Sequence, residues 1–197
     1  MSKAEKTKAF IIERSAPVFN TKGYAGTSLN DITEATGLTK GAIYGNFTDK
    51  NDIALAVYKY NVSGTRKRME AVVDSKENAI EKLLAFTAYY GNDYKRIFAN
   101  GGCPILNTAI EADDSNPFMK KVVQVSLKWL ADYLAAIIEL GKKQNNIKKA
   151  VDAVEYANTI ITLLEGGIMM AKVNDEPKHL LNALDRIKLI IDKEIKK

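Results

Sequence analysis

Along the chain, apolar residues return every three or four positions, and the alternation expected of strands is almost absent. The pattern predicts an all-α protein. Ala9, Ile12, Ala16 and Phe19 share one stripe, and Ile11, Ser15 and Val18 lie on the adjoining one. Together they predict an amphipathic helix over about residues 5–22, stopped near Gly23. Pro17 removes a backbone donor inside it, so a bend or loosened turn is expected there. Thr27 or Ser28 caps a second helix, with Leu29, Ile32 and Ala35 inward and Asn30, Asp31 and Glu34 toward water. Gly37 permits the positive φ of a sharp exit, and Leu38 plugs the turn. Thr39 caps a third helix, held from beneath by Ile43 and Phe47. Thr48 or Asp49 caps a fourth, with Ile53, Val57 and Tyr60 on its inner face, which continues through 61–74.

The next helix is expected over about 75–92, with Ile80, Leu83, Leu84, Thr87 and Tyr90 on one side. "ANGGCPIL" reads as a loop entering a short helix that runs to about Asp113, with Pro104 in its first turn. "DDSNPFMKK" then starts a long helix, capped by Ser115 or Asn116. Its two apolar stripes are Val122, Val125, Trp129, Tyr133 and Ile137, and Val123, Leu127, Leu130, Leu134 and Ile138. So wide an apolar surface is buried on more than one side. Gly141 is its expected end.

The last two helices, about 152–172 and 177–195, are strongly apolar. Ala157, Ile160, Leu164 and Ile168 line the first, and Leu180, Leu184, Ile187, Ile191 and Ile195 the second. Two such helices in succession predict pairing with a second copy into a four-helix bundle through these stripes. Gly167, beside Gly166 in "EGGIMM", fits close helix approach across that interface. The alternative is that both helices complete the core of one chain.

Composition narrows the function. The net charge of +5 over 197 residues permits a polyanionic partner without requiring one. Cys103 is the one cysteine, so no internal disulfide forms, and His179 is the one histidine. Neither a transition-metal site nor a cofactor is implied. No carboxylate pair, nucleophile–base pair or phosphate loop points to an enzyme, so no catalytic residue is assigned. The start lacks a secretory signal, and no apolar run is long enough to span a bilayer. A soluble cytoplasmic protein is expected.

The third helix begins with Thr39, Lys40, Gly41 and Ala42, which offer little to a core. Fastened through its middle and far end, it leaves exposed backbone N–H groups, the positive end of the helix dipole, one lysine and one hydroxyl. Gly41 and Ala42 add no bulk that would hold it away from a groove. This is the logic of a helix-turn-helix whose second helix enters the DNA major groove. An ordinary helical hairpin would share the bare helix–Gly–helix pattern.

The text "VFNTKGYAGTSLNDITEATGLTKGAIYGNFTDKNDI" goes further. In it are the "F…KGY" end of the first helix, "TS" before the second, "I…A…GL" through the turn, "TKGAIYGNF", and "DK" opening the fourth. Residues 5–65, with the motif at about 28–47, resemble the DNA-binding domain of the tetracycline-repressor (TetR) family of bacterial transcription regulators. Pro17 departs from the family's usual first helix. The resemblance implies phosphate contacts from Thr27, Ser28, Tyr44 and Lys50. It sets Thr39, Lys40, Gly41 and Ala42 at base edges or the flanking backbone, and Asn46 at either. Arg66, Lys67 and Arg68 read as a solvated face. The implied partners are an operator duplex and a second copy of the chain.

In this family the remainder, here 75–197, is a helical ligand-binding and dimerisation domain, which implies a small-molecule effector. Phe86, Tyr89, Tyr90, Trp129 and Tyr133, with Met169 and Met170 opposite, lie on helices that would surround its pocket, although such a set also serves as plain core. "GGCPILNTAIEADD" is similar to a segment in one branch, where a "GC" pair opens the sixth helix and some members resemble electrophile or oxidant sensors. Cys103 would then be a sensor thiol at a helix start, or a buried structural one. Asn107 and Glu111 are either polar pocket groups or helix-to-helix hydrogen bonds. The expected function is a ligand- or redox-responsive dimeric DNA-binding regulator, a repressor. The alternative is a helical small-molecule-binding or scaffold protein with a non-functional head.

Overall fold

Nine α-helices follow one another in a computed structural model that describes residues 2–114 and 116–197. They are α1 (Lys3–Gly26), α2 (Leu29–Thr36), α3 (Lys40–Tyr44), α4 (Lys50–Val73), α5 (Ala79–Ala99), α6 (Pro104–Ala112), α7 (Pro117–Lys143), α8 (Ala153–Val173) and α9 (Lys178–Leu189). A π-helical segment, Ile190–Ile195, follows α9. No strand occurs among the described residues. The chain divides into two units, one of Met1–Thr65 with Asn100–Val123 and one of Arg66–Ala99 with Gln124–Lys197. Thus α6 and the start of α7 join the N-terminal helices, whereas the sequence groups them with the C-terminal part.

In the first unit, Ser2 and Glu5 form a reciprocal cap at the start of α1. Pro17 sits inside α1 without breaking it. The break falls at Gly23, whose φ of 74° and ψ of 177° occupy a region essentially reserved for glycine. Ser28 and Asp31 cap α2 reciprocally, Gly37 ends it at φ 69°, and the Thr39 hydroxyl accepts the Ala42 N–H at 3.2 Å to start α3. Asp49 caps α4 through the Asp52 N–H at 2.8 Å. Ile11, Phe19, Ile32, Ile43, Phe47, Ile53 and Val57 form one buried cluster that binds these four helices. Asn116 caps α7 by accepting the Met119 N–H at 3.1 Å; Ser115, the other expected cap, lies outside the described residues.

In the second unit, Asn78 caps α5 by accepting the Ile80 N–H at 2.8 Å, so this helix begins later than its sequence suggests. Gly141 does not end α7, which continues to Lys143; its carbonyl accepts the Asn146 and Ile147 N–H groups at 3.0 and 3.2 Å. Asp152 caps α8 through the Val154 and Glu155 N–H groups. Helices α8 and α9 pack tightly, because Gly167 brings them together: a Cβ there would lie 2.7 Å from the Ala183 Cβ. The stripe assigned to a dimer interface is therefore corrected. Ala157, Ile160, Leu164, Gly167 and Ile168 on α8, and Leu180, Leu184, Ile187 and Ile191 on α9, are all buried within a single chain. Each large side chain so buried stabilises the fold by about 1.5–3 kcal/mol, and two sequence-adjacent helices gain that at once by facing each other. Met169, Met170, Val173, Leu181 and Leu189 are left exposed on the outer faces.

Candidate nucleic-acid interface

Helix α3 is one and a half turns long and anchored from one side. Ile43 and Phe47 are buried beneath it, while Thr39, Lys40, Gly41 and Tyr44 are exposed, Tyr44 by 47%. Ala42 is half-buried. A Cβ on Gly41 would meet nothing closer than the Thr39 hydroxyl at 4.0 Å, so the surface there is open. Exposed Ser28 stands at the α2 N-terminus, its hydroxyl and N–H donating to Asp31 at 2.6 and 2.7 Å. Asp31 also receives the Lys22 ammonium at 2.5 Å. That ammonium first, then Ser28, holds the Asp31 carboxyl well below the usual carboxylate range.

Three expected contacts sit differently. Thr27 is wholly buried and donates to the Gly23 carbonyl at 2.6 Å, closing the broken end of α1, so its side chain faces no solvent. Asn46 folds back to donate to the Ala42 carbonyl at 2.9 Å and secures the end of α3. The Lys50 ammonium lies 4.4 Å from the centre of the Tyr24 ring. Lys8, unassigned in the sequence, is a further cation here, 4.7 Å over Phe47.

The residues expected around an effector lie on α5, α7 and α8 of the second unit, with Cys103 and Asn107 at α6 of the first. Phe86, Tyr89 and Tyr90 are buried on α5, edge to face at 5.2 and 5.0 Å. Arg96 donates to the Tyr89 hydroxyl at 3.2 Å. Trp129 stacks on Tyr133 at 5.4 Å beneath the Arg66 guanidinium, 3.9 Å away, and the Tyr133 hydroxyl donates to Asp74 at 3.2 Å. Burial first, then the Asp74 charge, pushes the Tyr133 phenol upward. These two rings thus pack on the C-terminal end of α4. Met169 and Met170 are exposed on α8, pointing away from its packed face. Cys103 and Asn107 belong to the first unit: half-buried Cys103 is the N-cap of α6, and Asn107 donates to the Asn20 and Gly101 carbonyls at 3.0 and 2.8 Å.

A family model described as "Bacterial regulatory proteins, tetR family" matches residues 11–57, and one described as "Tetracyclin repressor-like, C-terminal domain" matches 79–187. A TetR-family transcriptional regulator from Cytophaga hutchinsonii is 36% identical with a TM-score of 0.94, over 100% of this chain and 98% of that one. A TetR transcriptional regulator from Chloroflexus aurantiacus is 32% identical with the same TM-score, 0.94, over 100% and 99%. An uncharacterized HTH-type transcriptional regulator from the lacX 3' region of Lactococcus lactis is 27% identical, over 95% of this chain and 94% of its own length.

Proposed function

Since the chain belongs to the tetR family of bacterial transcriptional regulators, we propose that it is a homodimeric repressor released from its operator by a small-molecule effector. The observation that carries the reading is the start of α3, where Thr39, Lys40 and Gly41 are exposed on a helix pinned from beneath by Ile43 and Phe47. Lys40 is the one long cationic side chain on α3, with Tyr44 flanking it. Most of the affinity is backbone electrostatics, which falls steeply with salt. Each subunit offers one α3 to successive major grooves, about 34 Å apart. The outer faces of α8 and α9 are the dimerisation surface of this reading, in place of the stripe that each chain buries for itself. The effector favours a state in which the two α3 helices no longer match that spacing, which requires different affinities for the two states.

The test is a gel shift with DNA upstream of the protein's own gene, at several salt concentrations. The wild type is expected to bind at low salt. Lys40→Ala, which removes one lysine from each subunit, is expected to weaken binding at least ten-fold and to lower the log–log salt slope by about two. Failure to bind any neighbouring promoter at low salt would sink the reading and return the non-functional-head alternative. The redox arm rests on Cys103 at the N-cap of α6. If oxidant releases wild type and Cys103→Ser alike, thiol chemistry is not the input.

A further inference from the structure

Within the first unit, α1, α4, α6 and the first turn of α7 enclose a cavity of about 40 Å³. That is roughly three times the space one water needs. We propose that this cavity is a binding site for a small alkylammonium ion. It lies within the first unit, and it stands whether or not operator binding is found.

The polarity of the wall selects the ligand. Phe19, Val57 and Met119 supply buried apolar surface. Two asparagines on the wall, Asn20 and Asn107, commit both N–H bonds of their NH₂ group to main-chain carbonyls, and Asn61 commits one. Asn20 donates to Gly102 at 3.1 Å, Asn61 to Ala16 at 3.1 Å, and Asn107 to Gly101 at 2.8 Å and Asn20 at 3.0 Å. The Asn107 amide can still offer a ligand its oxygen, while the Asn20 Oδ1 already receives the Asn107 NH₂ at 3.3 Å. The Asn116 oxygen is also committed, since it caps α7.

Glu111 adds a carboxylate. One oxygen accepts the Ala25 N–H at 3.0 Å, and the other occupies the space that a Cβ on Gly23 would fill, 1.6 Å from it. No Lys, Arg or His lines the cavity. Lys50 covers one face of Tyr24 at 4.4 Å. A carboxylate among amide oxygens favours a compact cation with several N–H donors and repels an anion. The volume suits an ammonium bearing about two to four carbons.

The experiment titrates the full-length protein, carrying ¹³C-methyl methionine, with n-propylammonium chloride, n-propanol and sodium propionate at constant ionic strength. The Met119 methyl is expected to shift saturably with propylammonium, on the order of millimolar, and not with propionate. The exposed Met169 and Met170 methyls are expected to stay in place. Glu111→Gln, which retains an acceptor for the Ala25 N–H, is expected to weaken binding at least ten-fold. Thr108→Met, which fills the cavity, is expected to abolish it. Thermal melting checks that both variants fold. If Glu111→Gln does not fold, Thr108→Met and the propionate comparison decide. An unsaturable Met119 shift, an equal response to propionate or propanol, or undiminished binding by folded Glu111→Gln would overturn the proposal.

Discussion

Ser15 is wholly buried on α1 among the core of the first unit, and its hydroxyl has no hydrogen-bond partner there. A buried polar group left unsatisfied costs about 1–3 kcal/mol. Ser15→Ala removes that cost for the loss of one small atom, and should raise unfolding stability by about 1 kcal/mol in a urea titration. Asp31 works in the opposite sense. Its carboxylate is stabilised in the folded state by Lys22 and Ser28, so its folded pKa lies beneath the unfolded one, near 4. The stability it contributes is complete above that unfolded value and is lost as pH falls from there toward the folded one. Melting temperatures of wild type and Asp31→Asn should therefore differ most above about pH 4 and converge in acid. The neighbouring Thr27 and Ser28 show what sequence withholds at this scale. Either hydroxyl could cap α2, and only the fold decides that Ser28 does so while Thr27 turns inward to the Gly23 carbonyl.

At the scale of elements, the adjacent glycines of α8 separate two kinds of contact. A Cβ on Gly167 would press on Ala183 of α9 at 2.7 Å, whereas one on Gly166 would meet nothing within 4 Å. Gly167→Ala should destabilise the chain by about 1–3 kcal/mol through overpacking. Gly166→Ala should stabilise it by about 0.5–1 kcal/mol through helix propensity, both read by thermal unfolding. The same pair marks the boundary of legibility. Periodicity identifies the buried stripes of α8 and α9. It carries no information on whether a stripe meets a sister helix or a second molecule, and α8 and α9 meet each other. Likewise, Pro17 advertises a bend, whereas the non-helical backbone falls at Gly23. The α3 start was legible, because its exposure follows from small residues over Ile43 and Phe47. The cavity is not: Glu111 is distant in sequence from Asn20 and Gly23, and only the docking of α6 on α1 joins them.

For the whole molecule, the proposed operator recognition turns on dimerisation, and the proposed surface for it is the outward side of the helix pair. Met170→Glu places a charge on a side chain 46% exposed in the single chain. The variant should melt within a degree or two of the wild-type monomer, yet sediment as a monomer and lose most of its operator affinity. An unaltered dimer would move the interface elsewhere.

The Glu111 carboxylate has a further consequence, for synthesis. It accepts an N–H that belongs to Ala25, 86 residues earlier in the sequence. While the ribosome is still making α4 and α5, a nascent head has neither this acceptor nor the α6 wall against which the broken end of α1 rests. The reading head is finished only after α6 has left the exit tunnel, so a translation product interrupted before Pro104 carries the whole DNA-reading motif on an unfinished mount.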